Sequence, residues 1–439
     1  MIRSALLLAV VVVLMASTRS FLPLGAVAPD AGVALGFGFL VLAAVQAGNL
    51  FAAMRLPRLT GYLLCGLAMG PEAGGLLAPA MVTDLRLVSG VAIGLIALTA
   101  GSELNLRALR PRLRSVLLIS LCALPLALVA CTLLAWALAP HLPFLAPLAG
   151  AQRWTAALTL GVILASLSPA VAIAILSETA SAGPLSEVTL GVVVLADLFV
   201  IVLFTTVSAL GASVFGAGGA ELSPFTALAI EIFGSIGVGV LVALALAAAH
   251  RYARGHLALF VLAACVVTAE VGARLHLDAL LICLTAGVLL ENSLGVGGAA
   301  ISRALAPAAL PIFAVFFALA GARLNLHDLR TLWPVALAFT FARAASLMGG
   351  ARLGATLAKA EPVVGRWGPL GMIPQAGVSV GLAELVARHH PTWGTGVRGL
   401  VLAVVTLNQI VGPVLLRLAL TRAGEAGRRA GDAPAAEHP

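Results

Sequence analysis

Apolar runs of about twenty residues recur along the whole chain, separated by short breaks that carry arginine, proline, glycine or an acid. A run of 18 or more apolar residues is long enough to cross a bilayer as a helix. A spanning segment must satisfy its backbone internally, which favours helices over open strands. The pattern predicts about fourteen spans: 2–20, 31–53, 58–78, 86–104, 115–139, 154–177, 185–210, 225–249, 256–274, 277–293, 303–321, 331–354, 366–387 and 396–420. The expected fold class is therefore an all-α polytopic membrane protein with 13–14 transmembrane helices.

Two spans are interrupted. The sixth contains Ser166-Leu167-Ser168-Pro169, and the thirteenth contains Pro374-Gln375-Ala376-Gly377. Proline removes a backbone donor and clashes with the preceding turn, and it pushes its predecessor towards extended geometry. Both spans are expected to break, with Ser166, Ser168 and Gln375 meeting the freed backbone groups. The seventh span, GVVVLADLFVIVLFT, carries one charge, Asp197, near its middle. A span of about 22 residues is ~33 Å long, so Asp197 is expected near the bilayer midplane. An acid there costs about 2.5–3.5 kcal/mol on insertion scales and marks a functional site by default. The bland alternative is a protonated or paired acid joining two helices. A second intramembrane charge, Arg343, lies within the twelfth span and should face the bundle interior, against Asp197 or a half-helix C-terminus.

The chain also repeats itself. LTAGSELNLRALR (98–110) is similar to LAGARLNLHDLR (319–330), with Asn105 and Asn325 in matching places, and LTGYLLCGLAMGPE (59–72) is similar to LDALLICLTAGVLLE (277–291). Matched spans lie seven apart, an odd number, so the two copies, about 58–210 and 277–420, enter the membrane in opposite senses. Inverted repeats with two crossed broken helices are the plan of many secondary transporters, with the site near the midplane.

Composition agrees with a membrane protein. The 439 residues are 61% hydrophobic and 10% charged, and a soluble core of this length needs more surface charge. The net charge of +8 is nearly all arginine, Lys359 being the sole lysine, and reads as loop charge rather than a nucleic-acid footprint. Counted over the predicted loops, 17 basic residues fall on one side, 8 on the other, and Arg343 within a span. That asymmetry predicts cytoplasmic N- and C-termini. Residues 1–22 read as an extra N-terminal transmembrane helix or a signal, because Arg3 precedes the apolar run. Residues 31–420 form the expected transport domain, and 421–439 a polar, disordered cytoplasmic tail. Five cysteines in apolar spans have no metal-like spacing, and no P-loop, dinucleotide or zinc motif occurs, so neither a cofactor nor enzymatic chemistry is expected.

Four segments carry a resemblance that covers about 35–420. RLPRLTGYLLCGLAMGP (55–71), LIALTAGSELNLRAL (95–109), ASLSPAVAIAILSE (165–178) and LADLFVIVLF (195–204) resemble the monovalent cation:proton antiporter superfamily, particularly the bacterial branch that includes potassium-efflux systems. The resemblance implies a sodium/hydrogen exchanger-like fold, with a core that slides like an elevator against a fixed dimerisation domain. It implies antiport of Na+ or K+ for H+ across a bacterial inner membrane by a homodimer. Asp197 would be the shared cation and proton site, bordered by Ser166 and Ser168, and Arg343 would be the charge of the core. The sequence departs from the family pattern twice. Ser168 stands where relatives often have aspartate, and Ala196 where electrogenic relatives have a second acid. One acid implies electroneutral exchange. Two rival readings are a symporter or uniporter of a small organic anion bound at Arg343, and a transport-incompetent scaffold or sensor. A separate regulatory subunit would have to supply any nucleotide-binding control, since none follows residue 421.

Overall fold

Every regular element among the described residues is a helix, as expected where neighbouring lipid offers the backbone no partners. The computed structural model describes residues 2–21, 29–54, 56–104, 106–215, 224–252, 257–275, 277–294, 296, 298–324 and 326–428. Asn105, Asn325, Arg55, Arg254 and the tail beyond Arg428 lie outside them.

In chain order the α-helices are α1 (Ile2–Phe21), α2 (Pro29–Ala53), α3 (Arg58–Met69), α4 (Pro79–Asp84), α5 (Arg86–Glu103) and α6 (Leu106–Leu109). They continue with α7 (Leu113–Leu138), α8 (Gly150–Ala165), α9 (Pro169–Glu178), α10 (Pro184–Phe215), α11 (Pro224–Tyr252) and α12 (Leu257–Leu275). The last six are α13 (Ala279–Asn292), α14 (Gly298–Ala322), α15 (Leu326–Ala358), α16 (Pro362–Trp367), α17 (Gly377–His389) and α18 (Pro391–Arg422). A 3-10 segment, Gly368–Met372, follows α16.

Among the described residues, seven helical stretches are long and apolar enough to cross a membrane, and four more apolar helices are shorter. Fewer than fourteen reach full length for local reasons. α3 stops after 12 residues, where Gly70-Pro71 ends it. The thirteenth span is divided among α16, the 3-10 segment and α17.

The chain divides into two compact units. One comprises Met1–Leu106 and Ile230–Leu324, the other Arg107–Ala229 and Asn325–Pro439. In the first, α3 packs on α14 and α5 on α13. Glycines make both seams. A Cβ on Gly66 would lie 1.8 Å from the Ala318 carbonyl oxygen, and one on Gly321 2.0 Å from that of Leu63. In the other seam, a Cβ on Gly101 would lie 2.2 Å from the Leu284 oxygen, and one on Gly287 2.4 Å from that of Leu98. Backbones meet directly there, as small residues allow in a medium without a hydrophobic force between helices. Gly101 and Gly321 hold matching places in the two similar segments.

In the second unit, α7 packs along α15 and α8, and α10 packs on α7, α8 and α9. Its apolar core includes Leu160, Ile163, Val200, Phe339, Leu400 and Val404. At one end Arg112 holds both Glu187 (2.6 Å) and Glu361 (3.1 Å). The expected disorder from Thr421 onwards does not apply to the first residues of the tail. α18 runs to Arg422, and Glu425 is buried, its carboxylate accepting from the amides of Leu185 (2.7 Å) and Ser186 (2.8 Å) and from the Ser186 hydroxyl (2.6 Å). A carboxylate over the first turn of α10 satisfies donors that the helix itself leaves free, and that outweighs the polarity of the segment.

Candidate functional site

The site is built from two interruptions that touch. α8 ends at Ala165, and Ser166 turns extended at φ −64°, ψ 148°. Ser168 is likewise extended (φ −120°, ψ 104°), as a residue before proline prefers. Its Oγ accepts from the Val171 amide at 3.3 Å and so caps α9. Pro169 is the first residue of α9, where its missing N–H leaves nothing unpaired.

The second interruption follows the 3-10 segment. Residues 373–376 are irregular, and α17 starts at Gly377. The Ser168 amide donates to the Pro374 carbonyl at 3.1 Å, which ties one break to the other. Close approach of α18 is allowed by Gly412, where a Cβ would lie 2.7 Å from the Pro374 Cα.

Side chains complete the junction. The Ser166 hydroxyl reaches the Ile163 carbonyl at 2.8 Å and also bonds the Ser379 hydroxyl. The Gln375 amide nitrogen bonds Ser379 Oγ at 2.9 Å and lies 3.5 Å from both Ser166 Oγ and the Ile163 oxygen. Asn408 of α18 donates to Gln375 Oε1 at 2.8 Å. All four residues are 0–1% exposed, so each bond is made away from solvent.

Arg343 of α15 is wholly buried, the largest such side chain described. Its Nε donates to Leu164 O at 2.7 Å, its Nη2 to Ser166 O at 2.7 Å and its Nη1 to Ile373 O at 2.9 Å. Those oxygens belong to the ends of α8 and of the 3-10 segment, where carbonyls lack helical partners and carry partial negative charge. Of the two roles the sequence left open, the bonds are those of the half-helix C-terminus. They also occupy the guanidinium that the organic-anion reading relied on.

Asp197 is half-buried, in a helix that lies against α8, α9 and the 3-10 segment. The helix carrying the acid therefore borders both breaks. The other acids go elsewhere. Glu270 is exposed and paired with Arg274 at 2.7 Å, and Glu178 faces Arg417 at 3.6 Å. Sequence reasoning missed Asn408, Ser379 and Gly412. The signal for Asn408 was present: Asn408-Gln409 is an amide pair inside an otherwise apolar stretch of α18.

No curated protein matches the chain. Solved structures do, among them two of the sodium proton antiporter MjNhaP1 from Methanocaldococcus jannaschii. The structure at pH 8 is 17% identical, with a TM-score of 0.65 over 88% of this chain and 97% of the other. The electron-microscopy structure is 16% identical, with a TM-score of 0.68 over 89% and 97%. At that identity the likeness is one of fold. The family model described as sodium/hydrogen exchanger, transmembrane, matches residues 38–422. The family is one of transporters and not of enzymes, and the chain, matched over most of its length, belongs to the sodium/hydrogen exchanger family.

Proposed function

We propose that the chain is a secondary antiporter that exchanges a monovalent cation, Na+ or K+, for H+ at Asp197. The observation that carries this reading is the buried junction of two broken helices, held by Arg343 and bordered by the helix that bears Asp197. Family membership and the likeness to a sodium proton antiporter support it. Cation and proton compete for one carboxylate, and either neutralises it. The empty anion is too costly to carry across the hydrophobic barrier, so an unloaded core does not move, and the two fluxes are coupled. With Ala196 beside it, one acid exchanges one cation for one proton, which is electroneutral. Half-helix N-termini at α9 and α17 add positive potential, while Arg343 offsets the opposite ends.

The two compact units fit an elevator, with the second as the moving core and the first as the dimer-forming frame of a homodimer. The matched glycine seams support an inverted repeat over about 58–210 and 277–420. The arginine asymmetry supports cytoplasmic N- and C-termini, and the resemblance to the bacterial branch of the superfamily supports an inner-membrane location.

The test is proton movement in proteoliposomes holding a preset pH gradient, with Na+, K+ and Li+ added in turn. Cation-triggered collapse is expected for wild type and not for folded Asp197→Asn. Collapse retained in the variant moves the site elsewhere. Transport driven by membrane potential alone refutes the one-for-one stoichiometry.

A further inference from the structure

We infer that Asn408 supplies a neutral oxygen to the transported cation and so sets which monovalent cation is preferred; this rests on the antiport reading above. The order of donors in the amide chain is set at its serine end. The Ile163 oxygen is a carbonyl and can only accept, so the end of Gln375 that faces it and the two serine hydroxyls is the NH2 group. Gln375 Oε1 then faces Asn408, and Asn408 must present its own NH2 to it, at 2.8 Å. A primary amide is planar, so fixing the nitrogen fixes the direction of Oδ1 as well.

That oxygen is buried and has no hydrogen-bond partner among the described residues. Asn408 itself is 0% exposed. A buried carbonyl oxygen without a donor is unfavourable, and a native structure retains one mainly where something else binds it. In the proposed reaction the species that enters this dry junction and lacks oxygens is a dehydrated monovalent cation. A neutral ligand suits it. It contributes to coordination without adding a second negative charge, so the one-acid stoichiometry is preserved.

Selectivity among cations of equal charge follows from how many oxygens surround the ion and how stiffly they are held. Stiffness is what the amide chain provides. Asn408 is locked through Gln375 to Ser379 and Ser166, and Gly412, one turn further along α18, holds the second break close. Among the other buried oxygens without partners, Thr189 Oγ1 sits on a hydroxyl that rotates freely, and Gln409 Oε1 on a longer side chain with one more torsion and slightly more exposure. The Asn408 oxygen is fixed by its tether to Gln375.

The experiment compares wild type with Asn408→Leu, Asn408→Ala and Asn408→Asp. Two readouts are taken for Li+, Na+ and K+: thermal stabilisation of the purified protein and gradient collapse in proteoliposomes. Leu and Ala, read together so that crowding by one does not decide the outcome, are expected to raise the half-saturating cation concentration more than fivefold in both readouts. They should also narrow the differences among the three cations, while the pH of half-maximal exchange at saturating cation stays put. Asp keeps an oxygen in place but loses the donor to Gln375, and is expected to remain within fivefold of wild type. Half-saturation within fivefold for Leu and Ala overturns the inference and leaves antiport standing. Asp as weak as Leu also overturns it, because the tether to Gln375 and not the oxygen is then what matters. Wild type that responds to none of the cations in either readout overturns antiport itself, and the role of Asn408 with it.

Discussion

Replacing Arg343 by leucine tests the junction directly. The change removes a guanidinium that reaches three buried carbonyls at 2.7–2.9 Å. A buried acceptor stripped of its partner costs about 1–3 kcal/mol, hence about 3–9 kcal/mol for three before relaxation. The lost side chain also takes its own desolvation penalty with it, several kcal/mol for a buried ion. The net expectation is a destabilisation of about 2–5 kcal/mol. At about 2–4 °C per kcal/mol for a unit of 150–250 residues, purified protein should melt about 4–20 °C lower. Lysine keeps the charge but lacks the planar fork that serves carbonyls from two breaks at once, so Arg343→Lys should fall between. A double variant decides what the charge is for. If the guanidinium served to balance Asp197, then Asp197→Asn would make Arg343→Leu harmless. The carbonyl bonds predict instead that the double variant melts as low as the sum of the singles, within about 1 kcal/mol. An unchanged melting temperature for Arg343→Leu, or rescue by Asp197→Asn, refutes the reasoning.

Two further outcomes are expected. Gly66→Ala and Gly321→Ala place a methyl about 2 Å from a facing carbonyl oxygen, and each should cost about 1–3 kcal/mol by overpacking. Melting temperature checks this, and the half-saturating cation concentration should not move, because the α3–α14 seam lies in the first unit. Glu425→Ala removes an acceptor for two amides and a hydroxyl at the start of α10, worth about 1–2 kcal/mol as a cap. Tryptic cleavage after Arg422 should then speed up about 5–30-fold, the population change such an energy implies. An unaltered rate would mean that the segment is held by other bonds.

The sequence announced both breaks because proline and serine act locally: Ser168-Pro169 forces its own geometry whatever surrounds it. Arg343 was legible for a similar reason, since a charge in an apolar run has to face inward. Its bonding was not. Three carbonyls from α8 and the 3-10 segment converge on it only after the chain has folded. Asn408 and Glu425 were passed over because each matters through a residue far along the chain, Gln375 in one case and Ser186 in the other. The short α3 was overestimated because Leu76 and Leu77 beyond Gly70-Pro71 continue the apolar composition without continuing the helix.

The amide chain between α18 and α8 has a consequence for proton leakage. Relay along hydrogen bonds needs groups that take up a proton on one side and release one on the other. Hydroxyls and water do this, whereas a primary amide accepts at oxygen and donates at nitrogen, and cannot hand a proton through without changing its bonding. Asn408 and Gln375 stand in series in that chain. They make it an insulator: the junction holds polar groups in contact from one helix to the next, yet conducts no protons along them. In the proposed antiport the proton instead rides on the carboxylate of Asp197, and closing the bypass is the condition under which a gradient is exchanged and not merely lost.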